Sequence, residues 1–522
     1  MLKKLHGRKL AVCLIGGAMY ALFSAFGWQA EHGGVIWAGG ALLVAALLVW
    51  PIAALLAVLL ERGYTRALRR EKTFRAGRAF AFILACYVPM FCVAFPGSFA
   101  YDVPYQLRQV VTGAYSTHHP LLHTLALGGL LQLGRALGDI NLGAALYTAL
   151  QMALLAGCFA LTCGSIARQS GARVAKRAAV FFALYPLNMV MAVNATKDVL
   201  FGGFFALTLA LLNEIQEKPS RGLALKIAAC GALAVMLRNN MAYAALVWLA
   251  LLTIGLRKGE KSAALAMLLA LAVGLCGNAA LKRATRAESG DMSEMLSWPI
   301  QQLARARLYD EERLTDAEKE AIDELMPGEA WACYDPTISD PVKFEFDTQA
   351  FRADVKKYVG VWLSVGKKCA GTYLDATMAL TYPFFYPYRE YRVSGYYVQM
   401  GMSDAYDAGW CDFDPPESRS LFPRALASLS WRFGAKGAMQ IPVVGWLFNM
   451  GVIVWTMLFF ALREMYWGRW RRFGTALLPV LLWGTFLLGP VMAGRYIYPF
   501  VCALPVLAAR PGRIVKEAAR HG

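Results

Sequence analysis

The sequence predicts an all-α polytopic membrane protein, and three observations predict it. Of 522 residues, 58% are hydrophobic and only 17% are charged, with a mean hydropathy of +0.43; an ordinary soluble domain carries about 25% charged residues. The apolar residues fall in runs of about 17–25, the length that crosses a bilayer core. The net charge of +18 is dispersed as short Lys/Arg clusters between those runs and never forms one basic face, which excludes nucleic acid as a partner.

Taken in order, about twelve spans emerge, near residues 10–28, 35–60, 79–96, 143–165, 178–193, 199–213, 222–237, 241–256, 263–281, 441–462, 474–493 and 496–510. The first run follows MLKKLHGRK but lacks a small-x-small cleavage site, and another span comes directly after it, so it reads as a retained helix and not a signal peptide. The clusters Lys3/Lys4/Arg8/Lys9, Arg62–Arg78, Arg168–Arg177, Lys218/Arg221, Arg257/Lys258/Lys261, Arg463–Arg472 and Arg510–Arg520 then share the cytoplasmic side with both termini of a multi-pass cell-membrane protein. That agreement requires residues 119–138 not to cross. They read instead as a helix in the outer interface.

Four sections follow: an N-terminal hairpin with its basic loop (1–78), a transmembrane core (79–281) that includes an outer loop at 97–138, an extracytoplasmic mixed or mainly helical domain (282–432), and C-terminal helices with a basic tail (433–522). In the third section, LYDEERLTDAEKEAIDELMPGEAW reads as one or two short helices and DPPESRSLFP as a loop. The tyrosines of YPFFYPYREYRVSGYY suit a headgroup interface or stacking on sugar rings.

With this topology the polar exceptions converge on the outer face. Asp102, with neighbours Tyr101 and Gln106, precedes the adjacent His118 and His119; Lys197 and Asp198 follow the fifth span; Arg238, Asn239 and Asn240 follow the seventh; Arg495 and Tyr496 follow the eleventh. Gln301, Gln302 and Arg305 open the outer domain after a proline, within about a turn of one another if helical. Each set taken alone has a bland explanation, since arginines snorkel and asparagines cap helices. Their shared face argues for one pocket, because ionisable groups beside a span are costly to hold there.

The strings YDVPYQ, HHPLLHT, ATKDVLF, RNN, PIQQLAR and GRYIYP, with an acidic outer loop after a span and an outer domain towards the carboxy terminus, resemble the C-type (GT-C) integral-membrane glycosyltransferases. The likeness is closer to an uncharacterised bacterial multispanning family thought to share that fold. It implies a GT-C-like arrangement and transfer of a sugar from a polyprenyl-phosphate donor to a glycan, glycolipid or protein acceptor of the cell envelope. It implies Asp102 as general base or positioner of the acceptor, and Arg238, Arg495 and Lys197 as the cations facing the donor phosphate. His118 and His119 would hydrogen-bond substrate or join Asp102 around a divalent cation. The chain departs from the commonest pattern in two extra leading spans and in one Asp where many relatives carry a pair of acids, which leaves the cofactor unknown.

No Walker A loop, GxGxxG, HExxH or CxxC is present, so nucleotide-driven transport, dinucleotide redox chemistry and zinc proteolysis lack support. A secondary transporter or flippase of envelope precursors is the alternative reading, although neither internal repeats nor midplane charges point to it. A non-catalytic membrane scaffold is the other. Eight of the eleven cysteines lie in apolar runs; in the outer domain Cys333 and Cys411 are the expected disulfide, leaving Cys369 free.

Overall fold

The computed structural model describes residues 5, 7–32, 39–62, 74–100, 102–252, 258–387, 400–402, 415–434, 441 and 443–510. Among these residues the chain is all-helical, with isolated β-bridges in place of strands. Six helices are long and apolar enough to cross a membrane: α1 (Arg8–His32), the Leu42–Glu61 part of α2 (Gly39–Arg62), α3 (Ala76–Ala94), α6 (Ile140–Ser170), α9 (Lys197–Glu217) and the Glu260–Thr285 part of α12 (Lys258–Thr285). The predicted span at 178–193 is a pair, α7 (Ala172–Leu184) and α8 (Pro186–Ala192), bent by 58° where Pro186 cannot continue the hydrogen-bond ladder. The remaining predicted spans are occupied by shorter helices: α10 (Arg221–Leu237), α11 (Asn239–Leu252), α20 (Met450–Tyr466), α21 (Trp470–Leu487) and α22 (Tyr498–Ala508).

Helix α9 is the axis of the bundle. It is apolar on every side and buried on every side, as such a helix must be. Gly202 and Gly203 let two neighbours approach from opposite directions: a Cβ on Gly202 would lie 3.0 Å from the Tyr498 ring of α22, and one on Gly203 would lie 3.1 Å from Leu155 of α6. This close packing brings the first turn of α9 beside the connector that leads into α22.

Before α6 the chain forms α4 (Val103–Thr112) and α5 (Leu121–Ala136). Helix α5 has 16 residues, about 24 Å of rise, and is short of the about 30 Å hydrocarbon core. It folds back on α6 through Gly138, whose φ of +91° suits a residue without a Cβ. At the crossing, a Cβ on Gly134 would stand 2.3 Å from the Gly143 backbone nitrogen, so the two helices meet backbone to backbone.

The segment within 282–432 has its own apolar core, in which Ile300, Ile322, Val342, Phe351 and Val365 are buried together. It comprises α13 (Ser297–Tyr309), α14 (Asp316–Leu325), α15 (Asp340–Lys343), α16 (Thr348–Ala353), α17 (Val355–Lys368) and α18 (Ala370–Thr381), with α19 (Pro423–Gly434) after it. The short helix expected within LYDEERLTDAEKEAIDELMPGEAW is α14, opened by a capping box of Thr315 and Glu318, and residues 415–422 run as a loop. The tyrosine-rich stretch departs from expectation in its described part: Tyr382, Phe384, Phe385 and Tyr386 are buried in the main bundle core, where apolar ring area outweighs any interfacial placement. Cys369 is buried and Cys333 exposed; the expected Cys333–Cys411 pair involves Cys411, outside the described residues.

Candidate functional site

Asp102 stands at the start of α4, a position where aspartate ordinarily accepts a hydrogen bond from the helix's own free N–H groups. It makes no such capping bond. Its Oδ2 accepts from Lys197 Nζ at 2.9 Å, and its two carboxylate oxygens lie 3.3 and 3.4 Å from the Arg495 guanidinium nitrogens. Arg495 Nε is 3.7 Å from Asp198 Oδ2, and Asp198 Oδ1 accepts from Arg238 Nε at 2.5 Å. The result is an alternating chain, Lys197–Asp102–Arg495–Asp198–Arg238, of three cations and two carboxylates.

Four separate segments supply it, and local pairing explains how each is held. The loop before Asp102 pairs in parallel with the α8–α9 connector, Ser98 N donating to Val193 O and Ala195 N to Ser98 O, both at 2.8 Å. Asp102 therefore arrives alongside Lys197 and Asp198, the first two residues of α9. Arg238 occupies the break between α10 and α11, its guanidinium lying over the rings of Phe486 and Tyr496 at 4.6 Å from each centroid. Arg495 sits in the single 3₁₀ turn Gly494–Ile497 that leads into α22.

The helical segment within 282–432 clasps the connector that carries Arg495. Trp298 Nε1 donates to Leu487 O at 2.7 Å and Ser339 N donates to Pro490 O at 2.9 Å. Gln301 fixes the same region one step removed, donating to the carbonyls of Asp335 and Ile338. Gln302 and Arg305, expected to line the pocket, are engaged within the 282–432 segment. Gln302 bonds Thr377 and Trp362, and Arg305 bonds Tyr334 Oη beside the Tyr309 ring. The helical spacing placed the three near one another, but it could not say which face meets a partner.

The two histidines separate. His119 Nδ1 lies 3.7 Å from Asp102 Oδ2 and 3.4 Å from Lys197 Nζ. His118 turns to Glu294 of the 282–432 segment at 3.9 Å, and Glu294 also takes Lys343 at 2.8 Å. The Asp102–His118–His119 ligand set is therefore not assembled, and the described residues hold no group of three His, Cys, Asp or Glu side chains placed to take a metal. Asn239 is exposed, and Asn240 bonds Thr485; Tyr496 lines the cluster as an aromatic wall. Tyr101 lies outside the described residues.

Gln106 does not face Asp102. Its amide nitrogen lies 3.0 Å from His123 Nδ1 and from Thr124 Oγ1. His123 Nε2 is 2.8 Å from Tyr147 Oη, which donates to Gln151 Oε1 at 3.0 Å, and Gln151 Nε2 donates to the carbonyls of Ala192 and Asn194. His123 Nδ1 faces both ends of the Gln106 amide, Nε2 at 3.0 Å and Oε1 at 3.1 Å, and Tyr147 Oη faces its Nε2, so the imidazole is held at both ring nitrogens. Sequence reasoning missed His123, Tyr147 and Gln151. A tyrosine and a glutamine four residues apart inside an apolar run were the available signal, and they hold the connector that presents Lys197.

Burial alone raises the pKa of Asp102, but the charges of Arg495 and then Lys197 outweigh it and hold the carboxyl well below the usual carboxylate range. Burial, and next the Lys197 charge, push His119 well below the ordinary histidine value, so it stands neutral at pH 7. The site thus contains a firmly ionised carboxylate between two cations, with a neutral imidazole beside it.

The model of a family of unknown function (DUF6020) matches residues 111–521, a stretch that includes Lys197, Asp198, Arg238 and Arg495 and begins after Asp102. No curated protein and no solved structure matches the chain.

Proposed function

We propose that this chain, which belongs to that family, is a GT-C-type membrane glycosyltransferase that takes a sugar from a polyprenyl-phosphate donor and passes it to a cell-envelope acceptor. In this reading it lies in the cell membrane with twelve spans, both termini are cytoplasmic and the Asp102 cluster faces outward. The observation that carries the reading is the alternating chain itself. Three cations against two carboxylates leave one positive charge in excess, which the single negative charge of a sugar phosphodiester cancels.

The chemistry follows from the charges. The acceptor oxygen attacks the anomeric carbon, the carbon–oxygen bond to phosphate breaks, and its electron pair leaves on the polyprenyl phosphate. Arg495 and Arg238 supply planar forks for that growing negative charge and Lys197 a point charge. Asp102 accepts a hydrogen bond from the acceptor and then its proton. Its depressed pKa makes it a weak base, so positioning the acceptor and taking the proton late, once the sugar–oxygen bond is largely made, is the role it suits.

The test is sugar transfer by purified protein in lipid nanodiscs supplied with a polyprenyl-phosphate sugar and a mixed envelope-lipid acceptor. Asp102→Asn is expected to lower the transfer rate by about 100-fold to 10,000-fold while donor binding persists. Transfer within a few-fold of wild type would show Asp102 to be structural. Donor movement across the bilayer without transfer would favour a flippase.

A further inference from the structure

At the opposite end of α3 from Asp102, a groove of about 540 Å³ opens between α3 and α7. That volume lies within the about 300–1,000 Å³ of small-molecule sites. Its floor is made by Ala79 and Ala179, whose small side chains leave room between the two helices. Arg75, Arg78 and Lys176 stand at its rim, and Phe82 and Val180 form its walls. Among the described residues no carboxylate pairs with these three cations, which are exposed, as are Phe82 and Val180. On each helix a cation stands one turn from an apolar wall, Arg78 above Phe82 and Lys176 above Val180, because residues four apart share a helix face.

We propose that this groove binds an anionic phospholipid from the leaflet opposite the Asp102 cluster. Charge at the rim and apolar walls one turn deeper reproduce the order of headgroup and acyl chain along a lipid. The three cations come from two different helices, so they converge on one phosphate where a lone snorkelling side chain would not. Depth agrees as well: the 19 residues of α3 span about 28 Å, close to the about 30 Å of a hydrocarbon core. The groove and Asp102 therefore open at opposite surfaces. A bound lipid would brace α7 against α3 just before the bend at Pro186, and α8 beyond that bend leads directly into the connector that presents Lys197. The proposal does not depend on the transferase reading.

The experiment is native mass spectrometry of the purified full-length protein offered equal amounts of phosphatidylglycerol and phosphatidylcholine. Wild type is expected to retain phosphatidylglycerol roughly tenfold better. The R75Q/R78Q/K176Q variant should lose that preference, whereas K218Q/R221Q, which removes two charges at the same end of the bundle but outside the groove, should keep it. Equal retention of the two lipids by wild type overturns the proposal whether or not any variant folds. Equal loss in both variants overturns it in favour of diffuse surface charge. Displacement of the lipid by excess inorganic phosphate would also overturn it and assign the groove to a soluble phosphate; persistence of the lipid supports it. The charge-preserving variant R75K/R78K/K176R is expected to retain the preference, and its loss there would show that charge is not what recognises the lipid.

Discussion

The buried pair Arg238–Asp198 offers the sharpest test of the cluster's energetics. Asp198 has 0% and Arg238 8% of its side chain exposed, at a separation of 2.5 Å. Removing one partner of such a pair costs about 3–5 kcal/mol, because the other is left charged and dry. The two removals are not equivalent. Arg238→Gln leaves Asp198 facing Arg495 at 3.7 Å and accepting from Thr196 Oγ1 at 3.3 Å. Two cations then balance two carboxylates, although the stacking over Phe486 and Tyr496 is lost at about 0.5–2 kcal/mol. Asp198→Asn leaves three cations around Asp102 alone. Asp198→Asn is therefore expected near the upper end, about 5 kcal/mol, and Arg238→Gln nearer about 3 kcal/mol. The double variant D198N/R238Q should recover about 2 kcal/mol or more of the summed losses, since it removes the orphaned charge along with its partner. Denaturant unfolding in mixed micelles, run as a double-mutant cycle, reads all three values. Additivity within about 0.5 kcal/mol, or a smaller loss for Asp198→Asn than for Arg238→Gln, would refute the reasoning.

Asp102 has its pKa depressed, so its ionic contribution to stability is complete above the unfolded value of about 3.9 and is lost only as pH falls through the lower folded value. The stability difference between wild type and Asp102→Asn should therefore be flat from pH 8 to pH 5, and a change above about 1 kcal/mol over that window would contradict it. His119 has the same sign in a higher pH window: the unfolded imidazole takes a proton near pH 6.5 while the folded one does not, so wild type should lose stability as pH drops below about 6.5. In His119→Asn that part of the acid slope should disappear, as unfolding at pH 7.5 and pH 5.5 would show. Gly134→Leu should force α5 away from α6 at about 1–3 kcal/mol or more; unfolding measurements that match wild type would mean that the backbone contact is not formed.

How far the sequence reached can be argued from particular residues. Runs of apolar residues coincide with the six long apolar helices and with the bent pair α7–α8, because composition and length control burial in lipid whatever the tertiary contacts. They could not show that residues 178–193 bend, nor that several later helices are short, because hydropathy integrates over a window and is blind to a single turn. The charged site was legible for a related reason. Asp102, Lys197, Asp198, Arg238 and Arg495 are ionisable groups at the ends of apolar runs, where only a partner makes them affordable, and each has one in the structure. Gln301, Gln302 and Asn240 were less legible because an uncharged amide is satisfied by any nearby carbonyl or hydroxyl, and each has found one.

Position alone also could not say which cation serves which carboxylate, and that distinction governs the chemistry. Because Asp102 is bracketed by Lys197 and Arg495, any anion entering the cluster competes with Asp102 for both cations, and binding it must loosen the carboxylate. A carboxylate relieved of part of its cationic shell becomes more basic. Anion binding and proton acceptance are thereby coupled through two shared side chains: the arrangement makes Asp102 a better base when the anion is present than when the site is empty. Lys197→Met should uncouple them, raising the pKa of Asp102 in the empty protein while weakening the grip on the anion.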